Sequence, residues 1–256
     1  MRAIVSIIAA GLAFGLGLNE SRAQGADAAY EIPAATPANI RRAVQSTARS
    51  AEQRARDAGR KPAEVLTLAE IAEGALVIEL GAFGHYYSTL LVEAVGPNGR
   101  VAMVDMPWTD RFGGEGARAF AAAHANATYT QVHYNEANLP RNADAAMSVL
   151  FYHDLTRDDV DIADMNARIF AALKPGGTYL IIDHKAEDGS GWRDAETLHR
   201  IDADAIRDEV TAAGFELVHD SPLLANPNDD RSLNMRDPAI RGATDRAVLL
   251  FRKPAR

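Results

Sequence analysis

Two groups of residues in this chain have types and spacings that could do chemistry. The first is His153 and Asp154 in "YHDL", Asp183 and His184 in "IIDH", and His199 in "TLHR". An imidazole with an ordinary pKa takes up and releases a proton near neutral pH, and two imidazoles with a carboxylate can hold iron or zinc with positions left over for substrate. No two of these histidines have helical i, i+4 spacing, so the metal reading has no motif behind it and no metal ligand is assigned. Each histidine alone is as well explained by a hydrogen bond to loop backbone. Three on one edge of a fold are harder to explain that way.

The second group lies in "VIELGAFGHYYSTLL". Glu79 ends an apolar strand, Gly81, Ala82 and Gly84 form a turn, and Tyr86 opens a helix. The N–H groups and dipole of such a helix start favour a bound carboxylate or phosphate. "GPNGRVAMVD" then places Asp105 at the carboxyl end of a second strand, roughly 20 residues on, where an acid takes a ribose diol in this arrangement. Phe83 and His85 stand where further glycines are expected, and a side chain there either crowds a ligand or moves the backbone away from positive φ.

These residues need a scaffold with strand ends that converge. From Ala75, short apolar runs alternate with amphipathic stretches: Ala75–Leu80, Arg100–Val104, Thr128–Val132, Ala143–Leu150 and Thr178–Asp183 read as strands, with helices over Tyr86–Val95, Arg111–His124, Arg157–Leu173 and Ala203–Ala213. That alternation predicts βαβ units and a parallel sheet covered by helices on both faces. In such a sheet ligands bind beyond the carboxyl ends of the strands, which is where His153, His184 and His199 fall. Phe215–His219 and Arg246–Arg252 are two final strands, separated by a long loop, Ser221–Asp245, of a length that is usually functional or disordered. Upstream, a helix is expected from Pro37 to Gly59 and a second from Pro62 to Gly74.

The chain has 256 residues, 47% hydrophobic and 24% charged, enough for a sizeable core. The absence of cysteine excludes disulfides, thiolate nucleophiles and zinc-thiolate sites. The net charge of −8 is uneven: Pro37–Lys61 carries +5 and the remainder −13, which argues against nucleic acid as the main partner. Residues 1–23 combine Arg2, an apolar run and Ser21-Arg22-Ala23, the pattern of a secretory signal, so export, to the periplasm in a bacterium, is expected, with no stable membrane insertion after cleavage. The organisation expected is signal 1–23, flexible segment 24–35, helical cap 36–74 and main domain 75–256. No Gly-x-Ser-x-Gly turn follows a strand, which removes a serine hydrolase of that type.

"LKPGGTYLIIDH" adds a helix end, a Pro175-Gly176-Gly177 turn and an immediate strand. With the Glu79 strand end, the glycine turn and Asp105, this resembles the class I S-adenosylmethionine-dependent methyltransferases over Ala63–Lys253. Within them it is most similar to a group of predicted methyltransferases, often exported, through "RDAGRKP", "GHYYSTLLVEAVGPNGRV", "YHDL", "IIDHKAEDGSGWRDAETLHRID" and "DPAIRGATDRAVLLFRKP". The resemblance implies a Rossmann-like, doubly wound, seven-stranded α/β sheet with an antiparallel last strand and an N-terminal helical extension. It implies S-adenosylmethionine as cofactor and a small-molecule or other non-nucleic-acid acceptor. Glu79 then supports the backbone near the methionine amino group, Gly81, Ala82 and Gly84 pass its carboxylate end, Asp105 takes the ribose hydroxyls, and Asn135 or Glu136 in the loop after the third strand is the candidate for adenine. His153, Asp154, His184 and His199 become the acid–base candidates. Two other readings stay open: an enzyme of another class built on the same fold with a His/Asp or metal centre, and a non-catalytic binding protein whose altered turn refuses the cofactor.

Overall fold

The computed structural model describes residues 30–255. The signal expected at 1–23 and the first part of the segment 24–35 lie outside the described residues. The remainder of that segment is tied down: the Tyr30 hydroxyl donates to Glu64 at 2.5 Å and receives the Ala63 N–H at 2.9 Å.

Four short helices lead in, α1 (Ala38–Gln45), α2 (Ala51–Ala55), α3 (Asp57–Arg60) and α4 (Pro62–Leu68). The single helix expected over Pro37–Gly59 is therefore three. It breaks because Ser50 and Gln53 form a reciprocal capping box that starts a new helix, and because Arg49 turns inward to meet Asp57. The main body follows as β1 (Leu76–Leu80), α5 (Tyr86–Val95), β2 (Arg100–Asp105), α6 (Glu115–Ala123), β3 (Ala127–Gln131), β4 (Ala143–Val149), α7 (Ile162–Ala172), β5 (Leu173–His184), α8 (Ala195–Leu198), α9 (Ala203–Ala212), β6 (Glu216–Asp220) and β7 (Arg246–Arg252).

The seven strands form one sheet in the order β3-β2-β1-β4-β5-β7-β6, parallel except for β7, which runs antiparallel to β5 and β6. The order reverses between β1 and β4, so a crevice opens at their carboxyl ends, the expected ligand position in an open α/β sheet. Period-2 alternation assigns the core: Val77, Met103, Met147, Ile182 and Val248 face α1, α4 and α5, while Ile78, Val104, Ala146, Ile181 and Leu249 face α7 and α9. Fully burying each such aliphatic side chain contributes about 1.5–3 kcal/mol, so both layers are stable only with their helices in place.

Three boundaries differ from expectation. Asp161 caps α7 by accepting the Asp164 N–H, so the helix begins after a 3-10 turn over Tyr152–Asp159 rather than at Arg157. The chain from Asp110 to Gly114 is a single wide helical turn, which delays α6. Pro175-Gly176-Gly177 sits inside β5, whose pairing with β4 slips between Ala143 and Ala145 to absorb it. Between β3 and β4 the chain makes only a short 3-10 turn, Tyr134–Glu136, and the sheet face there keeps a groove of about 680 Å³ lined by Leu76, Ala102, Val104, Leu139 and Pro140.

Candidate active site

The glycine turn is built as its sequence requires. Gly81 has φ +69°, and a Cβ there would lie 2.4 Å from the Phe151 ring, so a side chain is excluded both by backbone conformation and by space. The Ala82 N–H donates to Asp105 at 2.6 Å, and the Gly81 N–H donates to the Tyr134 hydroxyl at 3.2 Å, which itself donates to the Val104 carbonyl. Asp105 and Tyr134 thus clamp the turn to β2. The Ser88 hydroxyl at the start of α5 donates to Glu79 at 2.6 Å. Burial raises Glu79 to about 8 and Asp105 to about 6, against the hydrogen bonds of Ser88 and of Ala82 that favour the charged forms.

The second Asp105 oxygen is buried without a well-formed hydrogen bond, as is the Tyr129 hydroxyl, which lies near enough to favour the charged carboxylate. A buried carboxylate oxygen with no donor is costly unless something supplies one, and a ribose hydroxyl at the end of β2 is such a donor. The polar groups of the turn therefore fit the cofactor that the resemblance implies. The space above it is held by aromatic rings: Phe151 meets Phe83 edge-on at 6.2 Å, stacks on Trp108 at 5.8 Å and meets Tyr134 at 6.0 Å, and Phe112 closes the outer side at 6.4 Å from Phe83. Phe83 and Phe151 thus stand together beside the turn. Gly84 is exposed, and a Cβ there would meet nothing. His85, in the left-handed region at φ +34°, stacks on Phe120 and stays away from the other histidines. Asn135, expected at adenine, has its amide engaged with the backbone of Asp159 and Asp161. Its neighbour Tyr134 is the residue that reaches the turn, a role that spacing alone does not reveal.

Beyond β4 and β5 the histidines do converge. The His153 Nδ1–H donates to Asp183 at 2.7 Å, and Asp183 also accepts the backbone N–H groups of His153 and His184. This fixes the ring so that Nε2 faces Asp154 at 3.6 Å. His199, in the left-handed conformation at the end of α8, turns Nδ1 toward Asp154 at 3.4 Å. The rings of His199 and His184 lie 5.4 and 5.9 Å from that of His153. Burial alone would lower His153, but the charge and hydrogen bond of Asp183, with Asp154, hold it above the ordinary imidazole value. His184 is held well below it by burial and by the nearby His153 and Arg246. Burial pushes Asp154 up, yet His199, His153 and Arg157 together hold it below the usual carboxylate range.

The long loop supplies the outer wall. Thr244 bonds His184 Nδ1 at 2.6 Å, and Arg236 reaches His199 Nε2 at 2.6 Å. Its base is fastened by a fully buried bidentate pair, Arg200 to Asp229 at 2.9 and 3.1 Å. Arg157 joins the two halves of the site, bonding Asp154 at 2.8 Å while its guanidinium lies 5.1 Å above Trp108. Around the site, Tyr86 donates to Asp57, which is paired to Arg49 inside the protein, and Trp192 donates to Glu209. Asp202 caps α9 through the Asp204 N–H.

No protein-family model matches the chain, and no curated protein matches it in sequence. Solved structures match in fold. One is an S-adenosylmethionine-dependent methyltransferase from Aquifex aeolicus, 16% identical with a TM-score of 0.53, matched over 74% of this chain and 87% of that one. A second, from Mesorhizobium loti and also described as S-adenosylmethionine-dependent, is 16% identical with a TM-score of 0.54 over 74% and 96%. A third is the [4+2]-cyclase SpnF, 16% identical with a TM-score of 0.56 over 83% and 86%. At these identities the likeness establishes the class I methyltransferase fold, with its seven-stranded sheet and antiparallel last strand.

Proposed function

We propose that the protein is an S-adenosylmethionine-dependent methyltransferase acting on a small-molecule acceptor. The observation that supports this is Asp105: a carboxylate at the end of β2, bonded through one oxygen to the glycine turn, with its second oxygen buried beside Tyr129 without a well-formed bond and free to accept from a ribose hydroxyl. Bound there, S-adenosylmethionine supplies an electrophilic methyl group. Gly81, Ala82, Glu79 and Asp105 hold and orient it, and Phe83, Phe151 and Trp108 exclude water. The histidine cluster lies on the acceptor side, where His153, aligned by Asp183, takes the proton that a hydroxyl or amine nucleophile loses. The acidic body of the chain favours a small acceptor over nucleic acid.

Calorimetric titration with S-adenosylmethionine and S-adenosylhomocysteine tests this. The wild-type protein is expected to bind both, and Asp105→Asn to bind more than about 10-fold more weakly, the loss of one or two charge-assisted hydrogen bonds. Absence of heat with both ligands sinks the reading.

One observation favours a second reading, an enzyme of another class on the same fold. The rings over Gly81 close the cofactor side while the histidine side is fully built. A protein that uses only the histidine side binds neither ligand yet loses its activity with His153→Asn. Export is also a proposal, resting on residues 1–23. Cell fractionation of the full chain, with Ala23→Leu blocking processing, decides it.

A further inference from the structure

His153, Asp154 and His199 bring one donor atom each to within 4.8 Å of one another. The gaps are informative. His153 Nε2 approaches Asp154 Oδ2 at 3.6 Å and His199 Nδ1 approaches the other oxygen, Oδ1, at 3.4 Å, so the carboxylate lies between the two rings with both gaps too long for good hydrogen bonds. Two donors each about 2.0–2.1 Å from a four-coordinate ion at the tetrahedral angle are about 3.4 Å apart.

A second observation points the same way. His199 Nδ1 and His184 Nε2 are buried ring nitrogens without a hydrogen-bond partner, in side chains 4% exposed. A buried nitrogen left unpaired costs free energy; His199 Nδ1 belongs to the group of three, whereas His184 stands outside it. The surrounding contacts are those of a ligated set. His153 donates its other nitrogen to Asp183, which leaves the Nε2 lone pair facing inward, and Asp154 is steadied by Arg157.

We propose that His153, Asp154 and His199 bind a divalent transition ion of the zinc or iron(II) type, with at least one position open to substrate. Nitrogen donors with a single carboxylate suit these ions over magnesium or calcium. The site goes beyond the methyltransferase reading and stands without it. His153 Nε2 cannot be both an ion ligand and a proton acceptor, so with the ion in place its role as base falls away, and a hydroxyl bound to the ion, being more acidic, gives its proton to water. Arg236 is the competitor: it donates to His199 Nε2, whereas ion binding at Nδ1 moves the proton to Nε2. Its side chain sits on an exposed stretch of the long loop and can swing away.

The test uses full-length chain stripped with a chelator and titrated with Co²⁺, followed by its visible ligand-field absorption, then displaced with Zn²⁺. The expected result is one Co²⁺ per chain with the intense band of a four- or five-coordinate site. Affinity should fall more than about 10-fold in His199→Ala and in Asp154→Ala, and hold or rise in Arg236→Ala. Asp105→Asn, on the cofactor side, should leave the titration unchanged, which separates this site from the methyltransferase reading. Because Asp154 is partly exposed, its variant tests the site even where a histidine variant unfolds. No band in the wild type, or a band that survives in both His199→Ala and Asp154→Ala, overturns the proposal.

Discussion

His153 Nδ1 and Asp183 Oδ1 are 2.7 Å apart, with both side chains removed from solvent, so one carboxylate sets the orientation of the central ring in the cluster. Asp183→Asn keeps the size but replaces an acceptor oxygen with a donor NH₂. It is expected to lower Co²⁺ affinity, or turnover once a substrate is found, by about 10–100-fold while leaving S-adenosylmethionine affinity unchanged. A parallel loss of cofactor binding would instead point to general misfolding of the β5 end.

Phe83 lies over the glycine turn against Phe151. Phe83→Gly is expected to tighten S-adenosylmethionine binding several-fold in calorimetry, because the bulk beside the turn is gone. The cost is roughly 1 kcal/mol of backbone entropy in the short 3-10 helix. His85→Gly is expected to leave affinity unchanged, since that ring stacks on Phe120. Weaker binding by Phe83→Gly would mean the ring packs on the ligand.

Stability should fall as pH rises through the window set by Glu79. Its folded pKa, about 8, lies above the ordinary 4.5 because burial penalises the charge. The folded state therefore holds the proton more tightly than the unfolded chain. The contribution is fully present below about 4.5 and is lost as pH climbs to 8, and Asp105, raised to about 6, acts with the same sign at its lower end. Urea titrations of Glu79→Gln between pH 5 and 8 should show a flatter profile and a more stable protein than wild type at pH 8, by a few kcal/mol. Equal slopes for the two proteins would contradict this.

Arg200 and Asp229 form a buried bidentate pair at the root of the loop that carries Thr244 and Arg236. Arg200→Ala strands a buried carboxylate and is expected to cost roughly 3–5 kcal/mol in thermal or urea unfolding. Replacement of both residues by apolar ones should recover much of that loss, whereas a double variant as unstable as the single one argues for a different role.

Much of the framework is legible in the sequence because it rests on local rules. Apolar runs of five to seven residues between amphipathic stretches give the strands and their parallel order, and Gly81 marks a turn that admits no side chain. The convergence of His153 and His184 follows from their places at strand ends, and His199 joins them from the end of α8 on the same edge. What is not legible depends on partners distant in sequence. Arg49 finding Asp57 breaks an apparently continuous helix, and Tyr134 reaches the turn because its hydroxyl spans to Gly81 and Val104. Thr244 and Arg236 come to the histidines on a loop fastened by partners distant in sequence, among them Arg200–Asp229 and Arg231–Asp188, which no periodicity encodes.

The chain has two tryptophans, and they divide the site between them. Trp108 stacks on Phe151 beside the glycine turn, while Trp192 stacks on Tyr152 and donates to Glu209 beneath the histidine side. The protein thus contains two built-in optical probes, one for each half of its crevice. Trp108→Phe and Trp192→Phe turn it into a pair of single-reporter proteins, so ligand arrival at either half can be timed by intrinsic fluorescence without any label and before the acceptor is known.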